Sequence, residues 1–255
     1  MLFKRRIHPW EALVIGNLLL IVVWWLVSVQ VGDNSLFPTP WQTLARLGTD
    51  VLTVPVWSAT WVTFTEALGG CLIAISVAVP LAYLIYRSTF LASLMQPFFA
   101  ASQAIPAIAI APILVIWVGY GLQAIMVLCA IIIFFPILVN TALGLSQVDK
   151  EILDAARLDT AGSWALLRYI EFPLALPTML AGLRAGFTLS VTGAVVGEFV
   201  MGGTGLGNRL AIQSAAVDMT GLFSTIVVLC LMATLVYHVI SQLERKANRL
   251  TLSIS

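Results

Sequence analysis

Three ionisable side chains, Glu66, Arg184 and Glu198, stand in stretches that are otherwise apolar, and further charges gather in one polar island, Asp154 to Pro177, reading DAARLDTAGSWALLRYIEFPLALP. A carboxylate left unpaired at membrane depth is costly, so Glu66 and Glu198 each need a partner, a proton or a place on a polar pathway. For Glu66 three readings stand: a partner for Arg209, a proton-bearing neutral acid, or a pathway residue. Glu198 lies near the outer end of its span, just before the glycine-rich segment Gly202 to Gly207. Those glycines follow an apolar helix and not a strand, so they predict a flexible turn and not a dinucleotide loop. Arg184 is long enough to snorkel to headgroups. The lysines are Lys4, Lys150 and Lys246, none behind a phosphate-cradling loop, so the chain is expected to bind no ATP. Cys71, Cys129 and Cys230 each fall inside an apolar run, where packing fits better than a disulfide or metal site. No catalytic residue, cofactor site or metal site is expected.

The elements that must position these residues follow from hydropathy. Apolar residues make up 60% of the chain and charged ones 10%, and the mean hydropathy is +1.00, which excludes an ordinary soluble domain. Charge-free runs cover Ala12 to Gly32, Ala67 to Tyr86, Ser88 to Val148 and Met219 to Leu243. Each is long enough to cross a hydrocarbon core of ~30 Å at 1.5 Å per residue. A turn at Gly119, Tyr120 and Gly121 divides the third run into two crossings. A further span over Leu176 to Val200 gives an all-α membrane protein of six transmembrane helices. Between the first two, Gly32 to Pro55 holds a short interfacial helix over Trp41 to Leu52. Residues 1–56 then form an anchor with an outer connector, 57–248 a core with a polar loop at 149–175, and 249–255 a tail.

Orientation follows from basic residues, which are retained inside during insertion. Lys4, Arg5 and Arg6 precede the first span, in an anchor that lacks a cleavage site. With that end inside, Arg87, Lys150, Arg157, Arg168, Arg245, Lys246 and Arg249 also fall inside. Both termini and the island are therefore expected to be cytoplasmic. The net charge of +1 offers nothing to nucleic acid; the lipid bilayer is the expected surroundings.

In the fifth span Gly182, Gly186, Gly193 and Gly197 fall within ~60° of one another on a helix of 100° per residue. Such spacing lets membrane helices pack backbone to backbone. Arg184 and Glu198 project from the other side. The helix is expected to be central, lining a passage or the contact between two copies, with intrachain packing as the plainer reading. In the island, Glu151 to Leu158 and Ser163 to Ile170 predict two short helices joined by a turn over Asp159 to Gly162. Ala155 and Ala156 remove bulk, Ser163 is a candidate N-cap, and Trp164, Leu166 and Leu167 form a face that fits a partner's groove or the headgroups.

The island resembles the cytoplasmic signature loop of permease subunits of ABC importers, whose pattern is Glu-Ala-Ala, three residues, Gly, nine residues, Ile-x-Leu-Pro. Asp154, Ala155 and Ala156 take the first places, Thr160 the glycine place with Gly162 two positions later, and Ile170, Phe172 and Pro173 the last. A second segment, Ile105 to Gly121, reading IPAIAIAPILVIWVGYG, resembles the third-span signature of permeases for nitrate, sulfonates, taurine and bicarbonate, a branch that includes pyrimidine and riboflavin systems. There Pro106 and Pro112 each delete a backbone donor, so a kink or break is expected, suited to a gate.

The resemblance implies a type I importer fold in a bacterial plasma membrane, with this chain as a non-enzymatic permease working as a homodimer. It further implies two ATPase subunits carrying ATP and Mg and gripping a coupling helix built from Asp154, Ala155, Ala156, Thr160, Gly162, Trp164, Leu167, Ile170 and Pro173. An extracytoplasmic binding protein would deliver a small polar nutrient. Glu66, Pro106, Pro112, Gly193, Gly197 and Glu198 are the pathway or gate candidates. The rival is a gradient-driven secondary transporter or channel, in which the same loop is only a surface hinge.

Overall fold

A computed structural model describes residues 9–32, 36–104, 106–158 and 162–252, and the regular structure among them is helical throughout. The first helix, α1 (Pro9–Val31), is apolar on every side. Its Leu18, Leu19 and Leu20 are all more than half exposed, which suits lipid rather than water. The connector forms α2 (Pro40–Asp50), started by a capping box: Gln42 N–H donates to the Thr39 hydroxyl at 3.2 Å, and Thr39 N–H donates to Gln42 Oε1 at 2.9 Å.

The second apolar run becomes α3 (Val54–Arg87), which starts well before the charge-free stretch does. Its early polar residues are tolerated because acceptors lie within reach: Thr65 donates to the Val62 carbonyl at 2.8 Å, and the Ala59 carbonyl stands 3.2 Å from the Thr63 hydroxyl. The third run gives α4 (Thr89–Ala104), α5 (Ala107–Val118) and α6 (Leu122–Ser146). The two prolines behave differently. Pro106 is extended (φ −66°, ψ 121°) and separates α4 from α5, whereas Pro112 lies inside an unbroken α5. The predicted turn is present, with Gly119 and Gly121 at φ 94° and 106°, values open to glycine and strained for other residues.

The island forms α7 (Lys150–Leu158) and α8 (Ser163–Leu166). From α8 the chain passes without a break through a π turn (Leu167–Glu171) into α9 (Phe172–Met201). This corrects the expected separate helix ending at Ile170. Pro173 cannot donate to the Tyr169 carbonyl, and the turn just before it widens so that Phe172 N–H reaches Leu167 O instead. The cap is corrected as well: Gly162 is the N-cap and Ser163 the first helical residue, with no side-chain cap bond. The chain finishes with α10 (Leu206–Ala215) and α11 (Met219–Leu252). Among the described residues five helices are long and apolar enough to cross a membrane, those over Val14–Val31, Val54–Arg87, Leu122–Ser146, Ser163–Met201 and Met219–Arg249, with a shorter apolar one at Ile108–Val118.

The helices fall into two compact units, one of Met1–Trp57 with Arg209–Val228, the other of Ser58–Asn208 with Leu229–Ser255. In the first, Phe223 meets Trp24 at a tilt and Phe37 edge-on, with ring centroids 5.6 and 5.3 Å apart, and Asp50 is buried among polar partners. In the second, α3 presents small residues every third or fourth position, Ala67, Cys71, Ala74, Ala78 and Ala82. They pack in one core with Ile125, Leu128, Cys129 and Ile133 of α6 and with Phe187, Val191 and Ala194 of α9. Small seams of this kind let membrane helices approach closely.

Candidate functional site

The residues singled out by type and spacing gather at two places in the larger unit. One is the elbow of α7, α8 and the π turn. Val148, Leu153 and Leu166 form its small core, with Ala156, Ile170 and Leu174 packed against them. The opposite face is left outward: Leu158 is 85% exposed, Trp164 70% and Tyr169 72%, and Asp154, Ala155 and Gly162 are exposed too. Ala156 is half-buried and packs against the elbow's own core. Leu167 and Pro173 are half-buried, and Thr160 lies outside the described residues.

Behind the elbow, Glu171 is wholly buried, and its carboxylate accepts from Arg87 Nη2 at 3.0 Å and from the Tyr86 hydroxyl at 3.4 Å. Arg87 also donates from Nε to the Tyr83 hydroxyl at 3.0 Å and lies over the rings of Tyr83 and Tyr86. Neither Arg87 nor Glu171 was selected from the sequence. The only signals were a basic residue closing an apolar run that holds two tyrosines, and an acid inside an Ile-x-Phe-Pro tetrapeptide. An apolar cavity of roughly 670 Å³, walled by Tyr83, Leu84, Thr141, Trp164, Leu167 and Phe172 among others, separates α3 from the elbow.

The second place is the far end of α9. Glu198 is fully buried, accepting from the Thr63 hydroxyl at 2.6 Å and from the N–H groups of Gly207 and Asn208 at 2.8 and 3.1 Å. Thr63 in turn accepts from Leu206 N–H at 2.8 Å. A Cβ on Gly205 would collide with the Glu198 carboxylate, and one on Gly207 would come within 2.5 Å of Val195 O. The segment expected to be a flexible turn is thus a cradle closed around a carboxylate, with Gly202 at φ 79° making the turn. Thr63, the shared partner, is one of several threonines in a span and carried no distinguishing pattern.

Glu66, 2% exposed, lies against Glu198, while its Oε2 has no hydrogen-bond partner. Pairing of Glu66 with Arg209 is not found. Arg209 bonds Asp50 at 3.2 Å, in a cluster where Asp50 also meets Arg46 at 3.3 Å and Ser224 at 2.7 Å. Arg184 pairs with Glu244 at 2.9 Å and lies over the ring of Tyr237. The glycine stripe is spent inside the chain. Gly182 meets Asn140, Gly186 meets Ile137, Gly193 meets Ile132 and Cys129, and Gly197 meets Ile125, all on α6. Gly193 and Gly197 accordingly bring α9 against α6. Pro106 and Pro112 are exposed.

A bundle of long apolar helices, small-residue seams and buried carboxylate ties, with one amphipathic elbow left outward, has the architecture of a multi-pass membrane protein. More particularly, the chain belongs to the family described as binding-protein-dependent transport system inner membrane component, whose model matches residues 70–249. It is 36% identical over 239 residues to the riboflavin transport system permease protein RibX of Chloroflexus aurantiacus, covering 92% of this chain and 89% of that one. It is 30% identical to the formylaminopyrimidine transport permease protein ThiX of Halalkalibacterium halodurans (89% and 90% covered) and 27% identical to the taurine transport system permease protein TauC of Escherichia coli (79% and 75%). In fold it resembles a chain of the MetNI methionine ABC transporter in an inward-facing conformation, with a TM-score of 0.68 at 19% identity over 75% of this chain and 95% of that one. Members of this family work with ATPase and substrate-binding partners.

Proposed function

We propose that this chain is the membrane-spanning half of an ATP-driven importer. Two copies form the passage, two ATPase subunits holding ATP and Mg dock on the elbow, and an extracytoplasmic binding protein delivers the solute. The observation that carries the reading is the elbow itself: a preformed two-helix body with its own core whose outward face is Leu158, Trp164 and Tyr169. Six crossings are assigned, the third shared by α4 and α5 around Pro106, with both termini and the elbow in the cytoplasm. Residues 1–56 serve as the anchor and connector, and 57–248 as the core. The passage is assigned between the copies because the cavities described within the larger unit, roughly 670 and 370 Å³, have apolar walls unsuited to a polar solute.

The solute is a small polar nutrient, and riboflavin is the first to test, since the relative at 36% identity over 92% of this chain is named for it, whereas relatives named for carnitine and formylaminopyrimidine stand at 31% and 30%. Two substitutions test the docking. Trp164→Ala removes the exposed ring, and Ala155→Arg adds bulk to the outward face. Both variants should insert normally yet lower ATP-dependent uptake of labelled riboflavin into vesicles by at least about tenfold, with ATPase capture reduced. Normal uptake by both, or uptake by wild type that needs neither ATP nor an ATPase subunit, would favour a gradient-driven carrier.

A further inference from the structure

The long helices α3 and α9 are tied at both ends by buried carboxylates. At the elbow end the tie is Arg87 with Glu171, at 3.0 Å; at the other end it is Thr63 with Glu198, at 2.6 Å. Between them Ser190 donates to Ala67 O at 2.8 Å. The ties are ~36 Å apart along α3 and ~40 Å apart along α9 at 1.5 Å per residue. The elbow has its own core and so moves as one body. On its α3 side, however, it meets a cavity of roughly 670 Å³, across which packed side chains cannot push. What bridges from the elbow to α3 is the carboxylate of Glu171, held by the forked guanidinium of Arg87 and by the Tyr86 hydroxyl. Glu171 stands at the last position of the π turn, an irregularity that frequently marks functional sites in helices.

From this geometry we infer that Arg87 and Glu171 are positioning residues that carry displacement of the elbow into α3. The π turn is the joint, and the cradle of Glu198, Gly205 and Gly207 is where the displacement arrives. This rests on the elbow's being the ATPase dock. Mechanically, a push on α8 rotates the π turn. The Arg87–Glu171 tie converts that rotation into a shift of α3 relative to α9, and Thr63 passes the shift to the loop that Glu198 holds.

The test uses the permease co-purified with its ATPase subunits, in a Cys230→Ser background with Thr204→Cys as a reporter in the exposed part of the cradle. The readout is the rate of maleimide labelling at that cysteine, without nucleotide and with ATP plus orthovanadate. In the parent pair nucleotide should change the rate. In Arg87→Gln and in Glu171→Gln the nucleotide effect should shrink about fivefold, while ATPase capture and basal hydrolysis stay at parent levels. The swap of Arg87→Glu with Glu171→Arg should recover at least half of it.

A full nucleotide response in both single variants overturns the inference, as does a swap that restores assembly without restoring the response, since the pair would then only build the elbow. If the neutral variants fail to assemble, Arg87→Lys carries the test because it keeps the charge and loses the fork. A parent-like response there overturns the inference, and an intermediate one supports it. If the parent itself captures no ATPase, the docking assignment is what fails.

Discussion

At the scale of single residues, the buried carboxylates are structural ties as much as candidates for a pathway. Glu198 has three donors aimed at it, two of them backbone N–H groups that meet nothing but its Oε2. Glu198→Leu removes both acceptor oxygens and leaves the Gly207 and Asn208 N–H groups without their partner, which costs at least ~2 kcal/mol and lowers the thermal midpoint by roughly 5 °C. Thr63→Val should do comparable damage, because it loses both the bond to Glu198 and the acceptor for Leu206 N–H, whereas Thr63→Ser should melt near the parent. Thermal unfolding in detergent measures all three, and a Glu198→Leu variant as stable as the parent contradicts the cradle. Glu198 was visible in the sequence as a charge in an apolar run; its donors were not, because two of them are backbone groups that no side-chain pattern encodes.

At the scale of elements, the α6–α9 contact depends on missing side chains. At Gly182 a Cβ would run into Asn140, and at Gly193 it would come within 2.7 Å of the end of Ile132. Gly182→Leu should therefore wedge the pair apart and cost at least ~3 kcal/mol, read as loss of a single sharp peak in size-exclusion chromatography together with a lower midpoint. Gly16, in α1, has no atom within 4 Å of where a Cβ would sit, and Gly16→Ala should be neutral or slightly stabilising in the same assays. The spacing of four was legible as a helix-packing stripe, but which helix it packs against was not, since α6 and a second copy of the chain are equivalent partners to a one-dimensional pattern. The break at Pro106 and the continuity through Pro112 show the same limit: both prolines lack the donor, and neighbours decide which one interrupts the helix.

At the scale of the whole molecule, the assignment of sides rests on basic residues at the ends of spans, and exposed positions make it measurable. Leu158 on the elbow and Leu52 after α2 are each 85% exposed. In a Cys230→Ser background, Leu158→Cys in intact cells should react with a membrane-impermeant maleimide only after permeabilisation, and Leu52→Cys should react before it. The reverse pattern would invert the molecule and remove the elbow from any cytoplasmic ATPase.

Composition and hydropathy by themselves determined that the chain is helical and crosses a membrane repeatedly, because a bilayer demands long apolar runs with internally satisfied backbones. The island's spacing also marked out the elbow, since its resemblance lies in contiguous residues. Tertiary structure alone decided the partners of the charges: Glu198 with the glycine cradle, Glu171 with Arg87, Arg209 with Asp50 and Arg184 with Glu244. The reason is physical. A hydrophobic run is a local property read residue by residue, whereas an ion pair between positions 84 or 159 residues apart exists only once the helices between them have packed.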